Sequence, residues 1–138
     1  QAGDTGKMGG WGIDDPYNQF YQARDVEKMK GKVVDVQEVV PMPGMTPGVA
    51  LLVAVNGMEE PLMVHVCPVW YKKPGRIGVR KGDAVSLRGC FAQIKGQEVM
   101  MAAKIKYSDK ELKVRLTSDG TPFWTMSPAQ LQKELAAD

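Results

Sequence analysis

Seven consecutive apolar residues, Val49–Val55, run directly into Asn56-Gly57. Both turn residues tolerate positive φ, which a two-residue β-hairpin requires, so this is the strongest short hairpin signal in the chain. The spacing predicts a strand over Val49–Val55 that returns over Glu60–Cys67, with Pro61 limiting pairing at its start. Before it, Gly31–Val40 (GKVVDVQEVV) is β-branched and partly alternating, which predicts another strand. The eight residues between, PMPGMTPG at 41–48, hold three prolines and two glycines and read as a loop.

The pattern then breaks. Pro68–Lys81 shows no strand alternation and reads as a connector, with a short helical turn at Val69–Lys72. Strand alternation resumes over Asp83–Ile94, turns at Lys95-Gly96, and continues over Glu98–Tyr107. There Val99, Met101, Ala103, Ile105 and Tyr107 share one face, with Lys104 and Lys106 on the other. Leu112–Leu116 reads as a further short strand and Asp119-Gly120 as a turn. Ser127, Pro128 and Gln130 carry the start signals of a C-terminal helix with Leu131 and Leu135 on one stripe.

Three strands, a connector and two strands is the order of an all-β, five-stranded OB-fold-like Greek-key barrel. Five short strands with one apolar face leave open edges unless they close. Gly31, Gly48 and Gly89 stand where such a barrel has to bend. A small SH3-like barrel is the competing architecture. With 138 residues, 43% of them hydrophobic, one domain is expected. The organisation expected is an N-terminal arm over 1–28, the barrel over 29–124 and a helical tail over 125–138. The arm's Trp11, Tyr17, Phe20 and Tyr21 are expected to anchor it on the barrel or on a partner.

Four segments resemble small exported bacterial OB-fold domain proteins: VVDVQEVVPMPGMTPGVALLV, VHVCPVWY, RKGDAVSLRGC and DGTPFW. The resemblance spans roughly residues 17–124. It implies an envelope location and a binding or accessory role, and it brings no catalytic residues with it. A beginning at Gln1 with a polar, Gly-rich stretch fits a mature chain whose leader has been removed, so a periplasmic or extracellular location is expected. No apolar run approaches the ~18 residues that span a bilayer, so no membrane insertion is expected.

The residues that could carry chemistry are few. His65 is the single histidine. With Met42 and Met45 from the proline loop, and Cys67, it could hold a soft metal such as Cu(I) or zinc. Against that stands a plain strand histidine, since no second His and no CxxC completes a site. Cys67 and Cys90 fit either one disulfide or two buried thiols. Trp70 and Tyr71 could stack on a sugar or base, or plug the barrel end. Lys72, Lys73, Arg76, Arg80 and Lys81 surround them, yet a net charge of +2 argues against a dedicated nucleic-acid binder. Met100 and Met101 are adjacent in one strand, so a simple barrel cannot place both in its core.

No GxSxG, phosphate loop or paired catalytic carboxylates occur, and no cofactor is expected. The reading is therefore a non-enzymatic exported module that docks onto a partner protein, a second copy or an envelope assembly. Trp11, Tyr17, Phe20, Tyr21, Met42, Met45, Trp70 and Tyr71 are the candidate contact residues. The alternatives are a small envelope metal-binding protein and an oligonucleotide or oligosaccharide binder.

Overall fold

The computed structural model of the chain describes residues 8–136. The polar start at Gln1 lies outside them. Six strands form one sheet: β1 (Val26–Val39), β2 (Gly48–Val55), β3 (Leu62–Pro68), β4 (Ala84–Ile94), β5 (Gln97–Tyr107) and β6 (Lys110–Lys113). The order is β3-β2-β1-β4-β5-β6, and β3 also pairs with β5. That last pairing is parallel, Met63 to Val99 through His65 to Met101, and it closes strands 1–5 into a ring. The result is the all-β, OB-fold-like barrel expected, with β6 added outside the ring.

Turn chemistry sets the hairpins. Lys95 and Gly96 both have positive φ, 54° and 76°, the mirror-image turn whose twist matches the strands it joins. After Asn56-Gly57, Met58 N–H donates to the Val55 carbonyl at 3.1 Å. β1 is longer than its sequence pattern, starting at Val26 rather than Gly31. Its first half pairs with β4 and its second half with β2. One strand can serve both sides only by bending, and the register shifts between Val33 and Asp35. Shifts also occur at Val49/Ala50 and at Arg88/Gly89. A Cβ on Gly89 would collide with the Met101 carbonyl, so this bend requires glycine.

The barrel interior is aliphatic. Val49, Leu51, Val53, Leu62, Val64, Leu87 and Ile105 are all buried. Each such side chain contributes about 1.5–3 kcal/mol by leaving water. Val49–Val55 looks uniformly apolar in sequence, but its burial alternates: Leu52 is half-buried and Ala54 exposed, while Leu51 and Val53 are buried. The connector is turn and 3-10 helix, the latter at Pro74–Arg76. The expected strand over Leu112–Leu116 forms earlier, as β6. Helix α1 (Pro128–Ala136) begins as predicted, with Gln130 N–H donating to Ser127 Oγ at 3.2 Å. It buries none of its residues, and no helix is long and apolar enough to cross a membrane among the described residues.

Candidate functional site

Both Met100 and Met101 are fully buried. The barrel accounts for only one of them. Met100 lies opposite Val64 and Phe91, while Met101 lies opposite His65 and Cys90. Directly opposed residues share a face. The row His65–Met101–Cys90 therefore faces away from the interior, and something else has to cover it. That cover is the N-terminal arm, folded as 3-10 turns at Pro16–Phe20 and Ala23–Asp25. Tyr17 Oη lies 2.9 Å from His65 Nδ1. Gln22 N–H donates to Cys90 Sγ at 3.2 Å.

The segment after β6 completes this cover. Arg115 is buried, with only 4% of its surface exposed, and has no carboxylate partner among the described residues. Its guanidinium donates to Asn18 Oδ1 and to the Gly120 carbonyl. Three rings surround it: Trp124, Tyr21 and Tyr17, with centroids 5.1, 5.7 and 5.9 Å from Cζ. Ring faces are electron-rich, so they stabilise a desolvated cation where an acid is missing. Trp11 packs edge-on against both Tyr17 and Trp124. No local signal in the sequence marks Arg115 for this role, since its partners Tyr17, Asn18 and Tyr21 lie more than ninety positions away.

Burial, with the charge of Arg115 and then Lys95 beside it, holds the His65 pKa down at about 4. The imidazole is therefore neutral at pH 7. Burial likewise raises the Tyr17 hydroxyl, and pushes Tyr21 up to about 12, against the opposing pull of Arg115. The Tyr17 hydroxyl and His65 Nδ1 therefore share one buried hydrogen bond between two uncharged groups. Nothing in this cluster is a poised acid or base.

The disulfide expected as one alternative is absent: Cys67 and Cys90 are both free and buried. Strand order is the reason. β5 lies between β3 and β4 in the ring, which puts two inter-strand spacings, about 10 Å, between the strands that carry them. A disulfide needs Cα atoms within roughly 7 Å. Burial pushes the Cys67 thiol up to about 12 and raises that of Cys90.

The eight candidate contact residues divide. Trp11, Tyr17 and Tyr21 belong to the core, so they are not free to meet a partner. Phe20 and Trp70 remain exposed, at 36% and 47%. Tyr71 is half-buried against Trp124. Met42 and Met45 are half-buried and line a cavity of about 270 Å³ with Gly10, Pro16, Tyr17, Pro43 and Gly44. The loop that carries them is tied to the connector, since Val69 N–H donates to the Pro47 carbonyl at 3.0 Å. Trp70 is the next residue. The backbone of the β1–β2 loop is thus joined to the start of the connector one residue before Trp70.

His65 is absent from the lining of the Met42/Met45 cavity, and its Nδ1 is taken by Tyr17. No group of three or more His, Cys, Asp or Glu that could hold a metal occurs among the described residues. The basic residues of the connector stay solvated: Lys73, Arg76, Arg80 and Lys81 are exposed, while Lys72 sits 6.0 Å from the Tyr71 ring centroid.

No curated protein matches the chain. Residues 25–112, from just before β1 to the third residue of β6, match one protein family. The matched span takes in the whole ring and leaves out the aromatic cover formed by the arm and residues 113–126. It is nearly two thirds of the sequence, and by it the chain belongs to the MamS/MamX magnetosome protein family.

Proposed function

We propose that this protein is a non-enzymatic accessory module of the magnetosome, carried in the cell envelope, that docks onto a partner protein through the surface of Met42, Met45 and Trp70. The observation that carries the reading is the exposed Trp70 indole, one residue beyond the hydrogen bond that ties the connector to the Met/Pro loop. Exposed aromatic and thioether side chains suit an interface, and Trp is among the residues enriched at binding hot spots. The hydrogen bond from Val69 to Pro47 fixes the two segments relative to one another, which limits the ordering cost of docking. The family name supports a magnetosome role. The resemblance to small exported OB-fold proteins supports the envelope location. The neutral, engaged state of His65 and the high Cys67 pKa support a non-catalytic role.

The test is native purification from fractionated cells, comparing the parent chain with Trp70→Ser and with Met42→Ser/Met45→Ser. A stoichiometric partner that is retained by the parent and lost by both variants, at unchanged circular dichroism and melting temperature, is expected in the envelope fraction. A partner held equally by all three chains overturns the assignment of this surface. Recovery of the chain outside the envelope overturns the location.

A further inference from the structure

The outer face of β1, β4, β5 and β6 carries a second feature. Lys28 lies opposite Arg88, Arg88 opposite Lys104, and Lys104 opposite Lys113. Four cations therefore stand side by side across four strands, over about 14 Å at ~4.8 Å per strand. Two residues along, Lys30 lies opposite Ser86, Ser86 opposite Lys106, and Lys106 opposite Glu111. Lys32 extends the line along β1, so Lys28, Lys30 and Lys32 share one face.

Like charges directly opposed across strands destabilise a sheet. Among the described residues, Glu111 bridges three of them. Glu111 Oε2 lies 3.6 Å from Lys104 and 4.0 Å from Lys106, and its Oε1 lies 3.8 Å from Lys113. Lys28, Lys30 and Arg88 have no ion-pair partner among the described residues. Glu134 of α1 is the acid of the adjoining cleft, beside Lys104 and Lys113. The face is also concave: Lys28, Lys30, Arg88, Lys104 and Lys106 line a groove of about 410 Å³ over Met29 and Leu87.

We propose that this groove is a docking site for an extended acidic segment of a protein, with Asp or Glu at alternate positions. Alternate residues of an extended chain repeat at about 7 Å, the same spacing as the two cationic rows. Carboxylates on one face of such a segment meet Lys28, Lys30 and Lys32 in succession, while Arg88 and Lys104 reach them from the neighbouring strands. A groove fits a single chain better than a flat bilayer surface does. Single-stranded nucleic acid would need aromatic platforms for its bases, and no aromatic residue lines the groove. The proposal rests on the docking role only in taking a protein as the ligand; its residues and strands are separate from the Trp70 surface.

The experiment is fluorescence anisotropy on the full chain with a labelled (Glu-Ser)₆ peptide, and with (Gln-Ser)₆ and oligothymidylate as competitors. Binding of the Glu peptide is expected to weaken as salt rises. It should also weaken by about tenfold or more in Lys28→Gln/Arg88→Gln, because the variant removes two of the cations that steer an acidic chain into the groove and pair with it there. The variant neutralises the row rather than reversing it, and its melting temperature should equal or exceed that of the parent. Trp70→Ser should bind the Glu peptide as the parent does, so loss of peptide binding and loss of the native partner are read separately. No binding of the Glu peptide by the parent, equal binding by the variant, or displacement by oligothymidylate at lower concentration than by the Glu peptide itself each overturns the proposal.

Discussion

The Trp124 indole N–H donates to the main-chain carbonyl of Trp11 at 2.8 Å, joining two residues 113 positions apart. Their rings pack nearly perpendicular, at 82° and with centroids 5.8 Å apart. This contact fastens the N-terminal arm to the C-terminal segment over the outer face of the barrel. Replacing Trp124 with Phe keeps most of the ring contact and leaves the buried carbonyl without its donor. The expected loss is about 1–3 kcal/mol of unfolding free energy, the cost of an unsatisfied buried polar group. Urea denaturation measures it, and an unchanged midpoint would show that the contact holds nothing together.

His65 makes stability depend on pH. Its pKa is about 4 in the folded chain, against an ordinary value of 6.5. Between these values the unfolded chain binds a proton that the folded chain does not. The contribution is therefore fully present above pH 6.5 and is lost as pH falls towards 4, up to about 3 kcal/mol. His65→Gln removes this titration, so its unfolding free energy should slope less across that window than the parent's. Parallel slopes would mean that the imidazole takes up its proton without resistance.

Two free thiols should be found without any reductant. In the folded chain Cys67, with its pKa pushed up to about 12, is almost entirely protonated at pH 8. The thiolate is the reactive species, so a disulfide reagent should modify the folded protein slowly. In denaturant it should titrate both Cys67 and Cys90 at once. A denatured, unreduced sample with no reactive thiol would establish the disulfide that the strand order rules out.

Gly89→Ala forces a methyl group against the Met101 carbonyl and within 2.9 Å of Ala102 Cα. Main-chain atoms in a closed ring have nowhere to move, and a loss of about 2–4 kcal/mol is expected. Gly75→Ala is the control, because nothing lies within 4 Å of the added carbon. It should change stability by no more than about 0.5 kcal/mol. Equal melting temperatures for the two variants would remove the steric account of the bend.

Much of the ring was legible because its signals are local. Asn56-Gly57 and Lys95-Gly96 supply turn residues between apolar runs, and alternation marks Glu98–Tyr107 as a strand. The single shared face expected for Val99, Met101, Ala103, Ile105 and Tyr107 does not hold, because the register shift opposite Arg88 and Gly89 puts Met101 on the outer face with Lys104 while Ile105 stays inside. The start of β1 was not legible. Val26–Lys30 alternates charge with apolar residues weakly, and only pairing with β4 makes it a strand. The cationic rows share that cause, since Lys28, Arg88 and Lys104 lie far apart in the chain and meet only through register. The surface of Met42, Met45 and Trp70 was half legible. Its residues stand out as apolar types in segments without strand alternation, but Trp11, Tyr17 and Tyr21 look the same in sequence and are core.

The sequence by itself determined the strands, the turns and the helix start, because turn residues and side-chain alternation act over a few positions. The tertiary structure decided which faces are covered. Met101, His65 and Cys90 stand on the outside of a ring, and they are buried only because the arm and the segment around Arg115 and Trp124 fold across them. A strand specifies that two sets of side chains point opposite ways. It does not specify what lies beyond either set, since burial of the second face depends on contacts between residues as distant as Tyr21 and Thr117.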